Sequence, residues 1–349
     1  MTRPVRTILL GVESSCDEAS CALVADGQCV LANAVTSQID LHTRFGGVVP
    51  EIASRAHVEQ INAVIAEALD SAGVAPDDIA AVAVTHEPGL IGSLLVGLMA
   101  AKTLAWVWNR PLVGVNHVYA HAHAAALDAQ PVDYPAVALI ASGGHTALYH
   151  CRSPIAMTLM GNTIDDAAGE AFDKVAAILG LGYPGGPVID KAAQKGNAKA
   201  VDFPRTLLKG QSLDFSFSGI KTAVLYHVNG VPGVEYDHPR GLEPFTPKEI
   251  DDIAASFQQA VVDVLTIKIR RAVKHTGAKT ILLGGGVAAN SELRAAAETL
   301  AEKTQCTLRR PPLKYCTDNA AMIAGLGYHY LQAGRTSPLN LAATATVRR

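Results

Sequence analysis

The sequence predicts an α/β protein of two domains, and three features of the chain lead to this fold class. Its 349 residues are enough for two domains of ordinary size. Short apolar strands alternate with helical patterns, which is typical of α/β architecture with a mixed sheet. Two strand–polar turn–strand units start about 130 residues apart and suggest an internal duplication, although any α/β protein can contain two hairpins without one.

The first half of the chain begins with a predicted β-meander. Residues 7–12 form an apolar strand that runs into the polar turn 13–18, and strands at 20–24 and 29–35 follow. Apolar residues at helical spacing predict a helix, which is followed by a strand, a helix that is apolar nearly all round and is therefore expected to be buried, and another strand. These four elements lie at residues 55–71, 79–85, 91–107 and 112–115.

The second half repeats the hairpin and then adds helices. A hairpin is predicted over 136–150, and the Gly- and Pro-rich stretch 228–247 is predicted as a loop. Thr246 and Glu249 form a capping box for a long helix that Gly277 ends. The remaining elements are a strand, a glycine turn, a helix capped by Asn290 and a last helix, at residues 280–283, 284–286, from 291 and from about 317 to 331.

Composition excludes several classes of protein. Hydrophobic residues make up 49% and charged residues 17% of the chain, so it is not a disordered protein. The net charge of −3 means that a nucleic acid would have to bind a local basic patch. The N-terminal apolar stretch ends at Glu13, and the longest apolar run stops at Lys102 before it reaches membrane-spanning length. With no C-x-x-C pair among six cysteines, we expect a cytoplasmic, globular protein with reduced thiols and no membrane contact.

A histidine pair is the sharpest local signal. Asn116 can cap a helix, which places His117 and His121 at i and i+4 on one face, a spacing that suits two ligands of one metal ion. Val118 follows the first histidine, so the general base of the H-E-x-x-H motif is missing. Asp318 is the best candidate for a third ligand, with helix N-capping as its alternative role.

Three glycine clusters form a second signal, at residues 142–146, 182–187 and 284–290. Backbone N–H groups in such loops can approach a phosphate or carbonyl oxygen closely, but each cluster alone is also compatible with a tight turn. None of them matches the P-loop or the Rossmann fingerprint. Nucleotide binding and ordinary turns therefore both stay open at this point.

An acidic segment at residues 165–174 is the third signal. Asp166, Glu170 and Asp173 are predicted to share a helical face, where three like charges are unfavourable unless solvent, a cation or a polyhydroxylated ligand offsets them. The segment 213–222, Leu-Asp-Phe-Ser-Phe-Ser-Gly-Ile-Lys-Thr, is unusual for a surface loop and indicates no chemistry by itself.

Taken together, these motifs resemble one family in order and over nearly the whole chain. They lie at residues 13–18, 116–121, 142–146, 165–174, 214–221, 284–290 and 317–322. The resemblance is to the bacterial tRNA N6-adenosine threonylcarbamoyltransferases (TsaD), once described as O-sialoglycoprotein endopeptidases. It implies a two-lobed actin/Hsp70/sugar-kinase-like (ASKHA) fold with duplicated RNase H-like domains. The first lobe would contain residues 1–115 and a C-terminal helix at about 320–349, and the second would contain residues 116–319.

The resemblance also implies an activity and a site. The chain would transfer the threonylcarbamoyl group of threonylcarbamoyl-AMP to N6 of adenosine 37 in tRNAs that read codons beginning with adenine, and would release AMP. His117, His121 and Asp318 would hold one divalent metal ion, with Fe²⁺ preferred and Zn²⁺ as the alternative. Substrate-binding residues would be Ile140, Ala141, Ser142, Gly143, Gly144, Asp173, Gly186, Asp190 and Asn290. Asp190 is the weakest of these assignments, because the family does not always have an acid there.

The implied partners are tRNA, threonylcarbamoyl-AMP, a smaller paralogous ASKHA subunit (TsaB) and a small ATPase (TsaE). An ASKHA-type ATPase or kinase, or a carbamoyl transferase that acts on a different acceptor, is the main alternative. A metalloprotease is disfavoured because the helix lacks the Glu that would act as general base. A non-catalytic nucleotide-binding scaffold is disfavoured because it would not need metal ligands. No side chain is identified as a catalytic base.

Two further expectations concern the arrangement of the site. Because the proposed ligands are far apart in sequence, we expect the two lobes to hold the metal jointly. We also expect a local basic patch to bind tRNA, since its phosphates must be neutralised by Lys and Arg. The candidates for this patch are Arg44, Arg55, Lys268, Arg270, Arg271, Arg309 and Arg310.

Overall fold

The structure is a computed structural model that describes residues 6–234, 241–242 and 245–346. Within these residues it forms ten strands and ten α-helices. The strands are β1 (Ile8–Glu13), β2 (Glu18–Ala25), β3 (Cys29–Ser37), β4 (Ile79–Glu87), β5 (Leu112–Asn116), β6 (Ala136–Ala141), β7 (Thr146–Ser153), β8 (Ala156–Asn162), β9 (Thr280–Gly284) and β10 (Thr307–Arg309). The helices are α1 (Ile39–Thr43), α2 (Pro50–Ala72), α3 (Ile91–Val107), α4 (His117–His123), α5 (Ala168–Ile178), α6 (Gly185–Ala193), α7 (Ser218–Asn229), α8 (Pro247–Thr276), α9 (Ser291–Thr304) and α10 (Ala320–Gln332).

The chain divides into two compact units. The first comprises Met1–Val132, Arg152–Met157 and Arg310–Arg349, and the second comprises Asp133–Cys151 and Thr158–Arg309. These boundaries differ from the expected ones after residue 115 and near residue 320. Residues 116–132 and 310–319 belong to the first unit, because Ala120, Leu127 and Tyr315 are buried in its core.

The first unit is built on a mixed five-stranded sheet with the order β3-β2-β1-β4-β5. β2 pairs antiparallel with both β1 and β3, whereas β1, β4 and β5 are parallel to one another. The carboxyl ends of these three parallel strands therefore meet at the same edge of the sheet, which is where α/β folds commonly bind ligands.

Helices cover both faces of this sheet. Leu10 and Val12 of β1 pack into the core cluster that contains residues of α2 and α3, whereas Leu9 packs into the cluster that contains α10, because successive side chains of a strand point to opposite faces. At Gly11, a Cβ would come within 2.4 Å of the Ala320 carbonyl oxygen. The absence of a side chain there allows the start of α10 to lie directly on β1, which also positions the segment just before α10.

The second unit repeats the topology of the first. Its sheet has the order β10-β9-β6-β7-β8, which is the order of the first sheet when β6 to β10 replace β1 to β5. β6 pairs antiparallel with β7 and parallel with β9, and β9 pairs parallel with β10, as in the first unit. The duplication suggested by the two hairpins is therefore confirmed.

Several predicted helix ends agree with the structure. α3 has the predicted bounds, but one of its faces is exposed and the expected burial is wrong there. α8 begins at Pro247, directly after its N-cap Thr246, and its C-cap is Gly277. α9 is capped by Asn290. Part of the loop expected over 228–247, at 235–240 and 243–244, lies outside the described residues. None of the helices in the described part of the chain has the length and apolar character needed to cross a membrane.

Candidate metal centre and substrate loops

The two histidines lie on α4, which follows β5 without a loop. The Asn116 side chain caps this helix by accepting a hydrogen bond from the Tyr119 N–H at 3.2 Å, as the sequence predicts. His117 and His121 are both buried, and their ring centroids are 4.7 Å apart in an edge-to-face arrangement. The cap and the strand end thus hold the two imidazoles side by side.

Asp318 completes a triad with these histidines. Its Oδ1 lies 3.1 Å from His121 Nε2 and 3.5 Å from His117 Nε2, and one ligand atom from each of the three residues lies within 4.8 Å of the others. The cap of α10 is Asn319, whose side chain accepts a hydrogen bond from the Met322 N–H at 3.1 Å, so Asp318 does not have the capping role. All three residues belong to the first unit, and the expectation that two lobes hold the metal jointly is therefore wrong.

The donor set and its surroundings fit a divalent cation. Two imidazole nitrogens and a carboxylate oxygen converge, a combination that binds Fe²⁺ and Zn²⁺ in proteins. Burial lowers the pKa of His117, but the carboxylates of Asp318 and Glu13 outweigh burial and raise this pKa to about 9. Burial and the neighbouring negative charges of Asp318 and Asp17 likewise raise the pKa of Glu18. The site therefore has a negative potential that a cation would relieve.

The predicted substrate loops all lie in the second unit. β6 ends in the buried residues Ile140 and Ala141, and the turn that follows begins with Ser142. The Ser142 N–H donates to the His145 carbonyl at 2.8 Å, so this amide is already used. Within the described ranges, the N–H groups of Gly143 and Gly144 have no hydrogen-bond partner, and a Cβ on either glycine would meet no atom within 4 Å. These two amides are therefore open to a ligand.

Two other glycines fix this turn in place. The Gly169 N–H donates to the Ser142 carbonyl oxygen at 3.2 Å, and a Cβ at Gly169 would lie 2.5 Å from that oxygen. After β9, Gly285 has φ +87°, and a Cβ there would lie 2.3 Å from the Ala141 carbonyl oxygen. The start of α5 and the loop after β9 therefore both press directly against residues 141–143.

The remaining substrate-loop residues connect to the same cluster. Asp173 Oδ1 accepts a hydrogen bond from the Gly185 N–H at 2.7 Å, beside Gly186, at the start of α6. Asp190 on α6 accepts from Asn290 Nδ2 at 3.2 Å. The nine residues predicted to bind substrate thus lie on β6 and the turn after it, on α5 and α6, and at the cap of α9, all in the second unit.

Asn290 is fully engaged within this cluster. Its Oδ1 accepts from the Leu293 N–H at 2.9 Å, and its Nδ2 donates to Gln258 Oε1 at 2.7 Å as well as to Asp190. Asp190 also accepts from the Ser291 hydroxyl at 2.7 Å. Direct contact of Asp190 and Asn290 with a substrate stays a prediction, and in the structure the pair joins α6 to the start of α9.

The comparisons with known proteins agree with the motif analysis. The sequence model of the family described as tRNA N6-adenosine threonylcarbamoyltransferase matches residues 29–325. A protein of this name from Trichlorobacter lovleyi is 50% identical over 339 residues, which is 97% of this chain and 96% of the relative. The chain belongs to the tRNA N6-adenosine threonylcarbamoyltransferase family. A second member, from Clostridioides difficile, is 47% identical and covers 98% of both chains.

Solved structures show that this threonylcarbamoyltransferase family member has the predicted ASKHA fold. Full-length HypF, in a phosphate- and nucleotide-bound form, has a TM-score of 0.58 at 14% identity and covers 99% of this chain and 48% of its own. Component A of the Acidaminococcus fermentans (R)-2-hydroxyglutaryl-CoA dehydratase has a TM-score of 0.50 at 17% identity and covers 94% of this chain and 99% of its own. At such low identity the likeness concerns the fold alone.

The acidic segment of this threonylcarbamoyltransferase family member differs from the prediction. α5 begins at Ala168, so Asp166 precedes the helix and does not share its face. Lys174 offsets two of the three acids, since its Nζ lies 2.8 Å from an Asp166 oxygen and 2.9 Å from a Glu170 oxygen. The sequence contains this lysine four residues after Glu170, which is the spacing of a helical ion pair.

The segment at 213–222 has a structural partner that the sequence analysis missed. Asp165 accepts hydrogen bonds from the hydroxyls of Ser216 and Ser218 at 2.6 and 2.7 Å and from the Phe217 N–H at 2.9 Å. Burial raises the pKa of Asp165, but these hydrogen bonds outweigh burial and lower it below the ordinary value. Asp165 therefore holds the start of α7 close to the segment that leads into α5.

The predicted basic patch is wrong at one position. Lys268 is fully buried, and its Nζ donates to the carbonyls of Leu207 and Ser212 at 2.6 Å each. It therefore anchors a loop and does not face tRNA. Arg44 and Arg55 are exposed on the first unit, although Arg55 also pairs with Glu51 at 2.7 Å.

Proposed function

We propose that this chain transfers the threonylcarbamoyl group of threonylcarbamoyl-AMP to N6 of adenosine 37 in tRNAs that read codons beginning with adenine, and releases AMP. The family match over residues 29–325 is the observation that carries the proposal. The exocyclic amine of adenosine is a weak nucleophile, so the carbamoyl carbon has to be polarised and held in line with it. Two parts of the molecule suit these tasks.

The triad of His117, His121 and Asp318 is proposed to hold one divalent metal ion, with Fe²⁺ preferred and Zn²⁺ as the alternative. When bound, such an ion supplies Lewis acidity and a template for oxygen atoms of the donor. Three protein ligands suit an open, catalytic type of site, and the surrounding carboxylates favour positive charge.

The chain's own groups in the second unit are proposed to bind the adenylate. The open amides of Gly143 and Gly144 can donate to a carbonyl or phosphate oxygen on which negative charge develops. Asp173, which accepts from the Gly185 N–H, is proposed to accept a hydroxyl of the substrate, because a carboxylate can accept several hydrogen bonds. We assign no side chain as general base.

We further propose that a smaller paralogous ASKHA subunit docks on the outer face of α3. This face carries four large apolar side chains, each with 47–72% of its surface exposed: Ile91, Leu95, Met99 and Trp106. An exposed apolar patch is typical of a protein interaction surface. The small ATPase and the cytoplasmic location are proposed from the family resemblance. tRNA is proposed to bind the exposed arginines of the first unit.

A transfer assay tests the function. Purified chain, threonylcarbamoyl-AMP and unmodified tRNA are incubated with and without the paralogous subunit, and the modified nucleoside is measured by mass. We expect modification by the wild type and none by His117→Ala. His123→Gln is the matched control on the same helix, because the His123 ring donates to the Gly27 carbonyl and lies outside the triad. Steady ATP turnover without tRNA, and no nucleoside product, would instead favour the ATPase.

A further inference from the structure

A buried glutamate stands behind the metal triad. Glu13 is the last residue of β1, and its side chain has no exposed surface. One carboxylate oxygen, Oε2, accepts from the Thr85 hydroxyl at 2.6 Å and lies 3.0 Å from His117 Nδ1. The other, Oε1, accepts from the Ser15 N–H at 2.6 Å. Each of these contacts comes from the carboxyl-terminal edge of the first sheet.

The strand order explains why these groups meet. β1, β4 and β5 are adjacent and parallel, and they end at Glu13, just beyond Thr85, and just before His117 respectively. Neighbouring parallel strands present residues near their carboxyl ends at the same edge. The contact between Glu13 and His117 is therefore a property of the sheet rather than of a loose side chain.

The contact with Glu13 determines which nitrogen of the His117 ring carries the proton and which nitrogen faces Asp318. An ionised carboxylate can only accept hydrogen bonds, so the proton of the His117–Glu13 contact is on Nδ1 of the histidine. Nε2, on the far side of the ring, is the nitrogen that faces Asp318. His121 differs, because within the described residues its buried Nδ1 has no hydrogen-bond partner. Among the described residues, His117 is thus the histidine of the pair whose Nδ1 contacts a carboxylate.

We propose that Glu13 is a positioning residue of the metal centre, whose carboxylate fixes the His117 ring so that Nε2 is presented to the ion. The inference rests on the metal site proposed above. Hydrogen bonds from a ligating histidine to a carboxylate orient the ring and raise its basicity, and their loss weakens metal binding roughly 10–100-fold. Glu13 acts through His117 and does not itself need to contact substrate.

Co²⁺ binding to the full-length chain tests this role. Chelated wild type and Glu13→Gln are titrated with Co²⁺ alone, and the ligand-field absorption bands and the Kd are recorded. We expect Glu13→Gln to raise the Kd roughly 10–100-fold and to alter the bands. Ser14→Ala is the matched control, because the neighbouring Ser14 hydroxyl is also buried and bonds to the Ser93 carbonyl and the Gly97 N–H, away from the triad. It should lower stability and leave the Kd unchanged.

A second variant and a metal-free readout separate positioning from stability. Glu13→Asp keeps the charge but withdraws the carboxylate by one methylene group, and it should also weaken Co²⁺ binding. Urea midpoints of the chelated proteins report stability without metal. A folded Glu13 variant with wild-type Kd and absorption bands would overturn the inference, even if its midpoint falls. A wild type that binds no Co²⁺ would overturn the proposed metal centre and this inference with it.

Discussion

Gly169 is the position where one added methyl group tests the substrate loops most directly. A Cβ there would lie 2.5 Å from the Ser142 carbonyl oxygen and 2.8 Å from the Cα of Gly143. Both are backbone atoms, so they cannot rotate away as the end of a flexible side chain can. To restore an ordinary contact of 3.4 Å, Gly169→Ala has to move the turn and the start of α5 apart by about 0.9 Å.

The expected loss has two parts. Overpacking of this kind costs about 1–3 kcal/mol, and the hydrogen bond from Gly169 to Ser142 contributes about 1 kcal/mol. Replacement of Gly by Ala within a helix returns about 1 kcal/mol, so the net destabilisation is about 1–3 kcal/mol. The same movement displaces the open amides of Gly143 and Gly144, and a misplacement of about 1 Å can lower a rate about 100-fold.

Gly219→Ala is the matched control for this variant. Gly219 is also the second residue of a helix in the second unit, but the nearest atom to its Cβ would be Thr206 Oγ1 at 3.6 Å, an ordinary contact. It should be as stable as the wild type or up to about 1 kcal/mol more stable. Urea unfolding and the rate of threonylcarbamoyl transfer are measured for both variants. If Gly169→Ala matches Gly219→Ala in both measurements, close packing of α5 on the turn is not what positions the amides.

Three further outcomes are expected. Asp318→Ala should fold, because Asn319 caps α10, yet contain no stoichiometric metal by elemental analysis and transfer nothing; full metal content would contradict the triad. Replacement of both Arg44 and Arg55 by Glu should weaken tRNA binding in filter-binding assays. The slope of log K against log salt concentration should fall by about one unit for each arginine, while adenylate binding stays intact. An unchanged tRNA affinity would place the patch elsewhere. Folding lowers the pKa of Asp165, so the ionised carboxylate adds to the free energy of unfolding. This contribution is full above about pH 4 and is lost as the pH falls further. Asp165→Asn should therefore have a lower urea midpoint than the wild type at pH 7. Its midpoint should also fall less than that of the wild type when the pH is lowered below 4, and equal falls would contradict the anchoring role.

The sequence predicted those helices whose ends are marked by capping side chains and whose apolar residues recur at helical spacing. The caps formed by Asn116, Thr246 and Asn290 were predictable because Asn and Thr side chains satisfy the free N–H groups of the first helical turn. α6 was missed because it starts with Gly185 and Gly186, which have low helix propensity, and its first N–H is bonded to a side chain on α5. That contact is not visible in the local sequence.

Only those parts of the candidate site that have a local sequence signal were predictable. The i,i+4 spacing of His117 and His121 indicated a ligand pair, but the adjacent Asp318 and Asn319 are both good capping residues, and only the structure separates their roles. Lys268 was misassigned because its charge suggested a surface position. Its spacing from Val261 and Val264, at i+7 and i+4, places it on the buried stripe of α8, and this signal was available in the sequence.

The duplicated sheet uses the same edge in two chemically different ways. In the first unit, the carboxyl ends of the parallel strands present side chains, with Glu13 at the end of β1 and His117 directly after β5. In the second unit, the equivalent ends of β6 and β9 lead into the glycine turns at 142–144 and 284–286, which present backbone amides. Side-chain donors suit a metal ion, whereas amides suit an oxyanion or a phosphate. One topology therefore supplies both kinds of group that the transfer reaction proposed above would use.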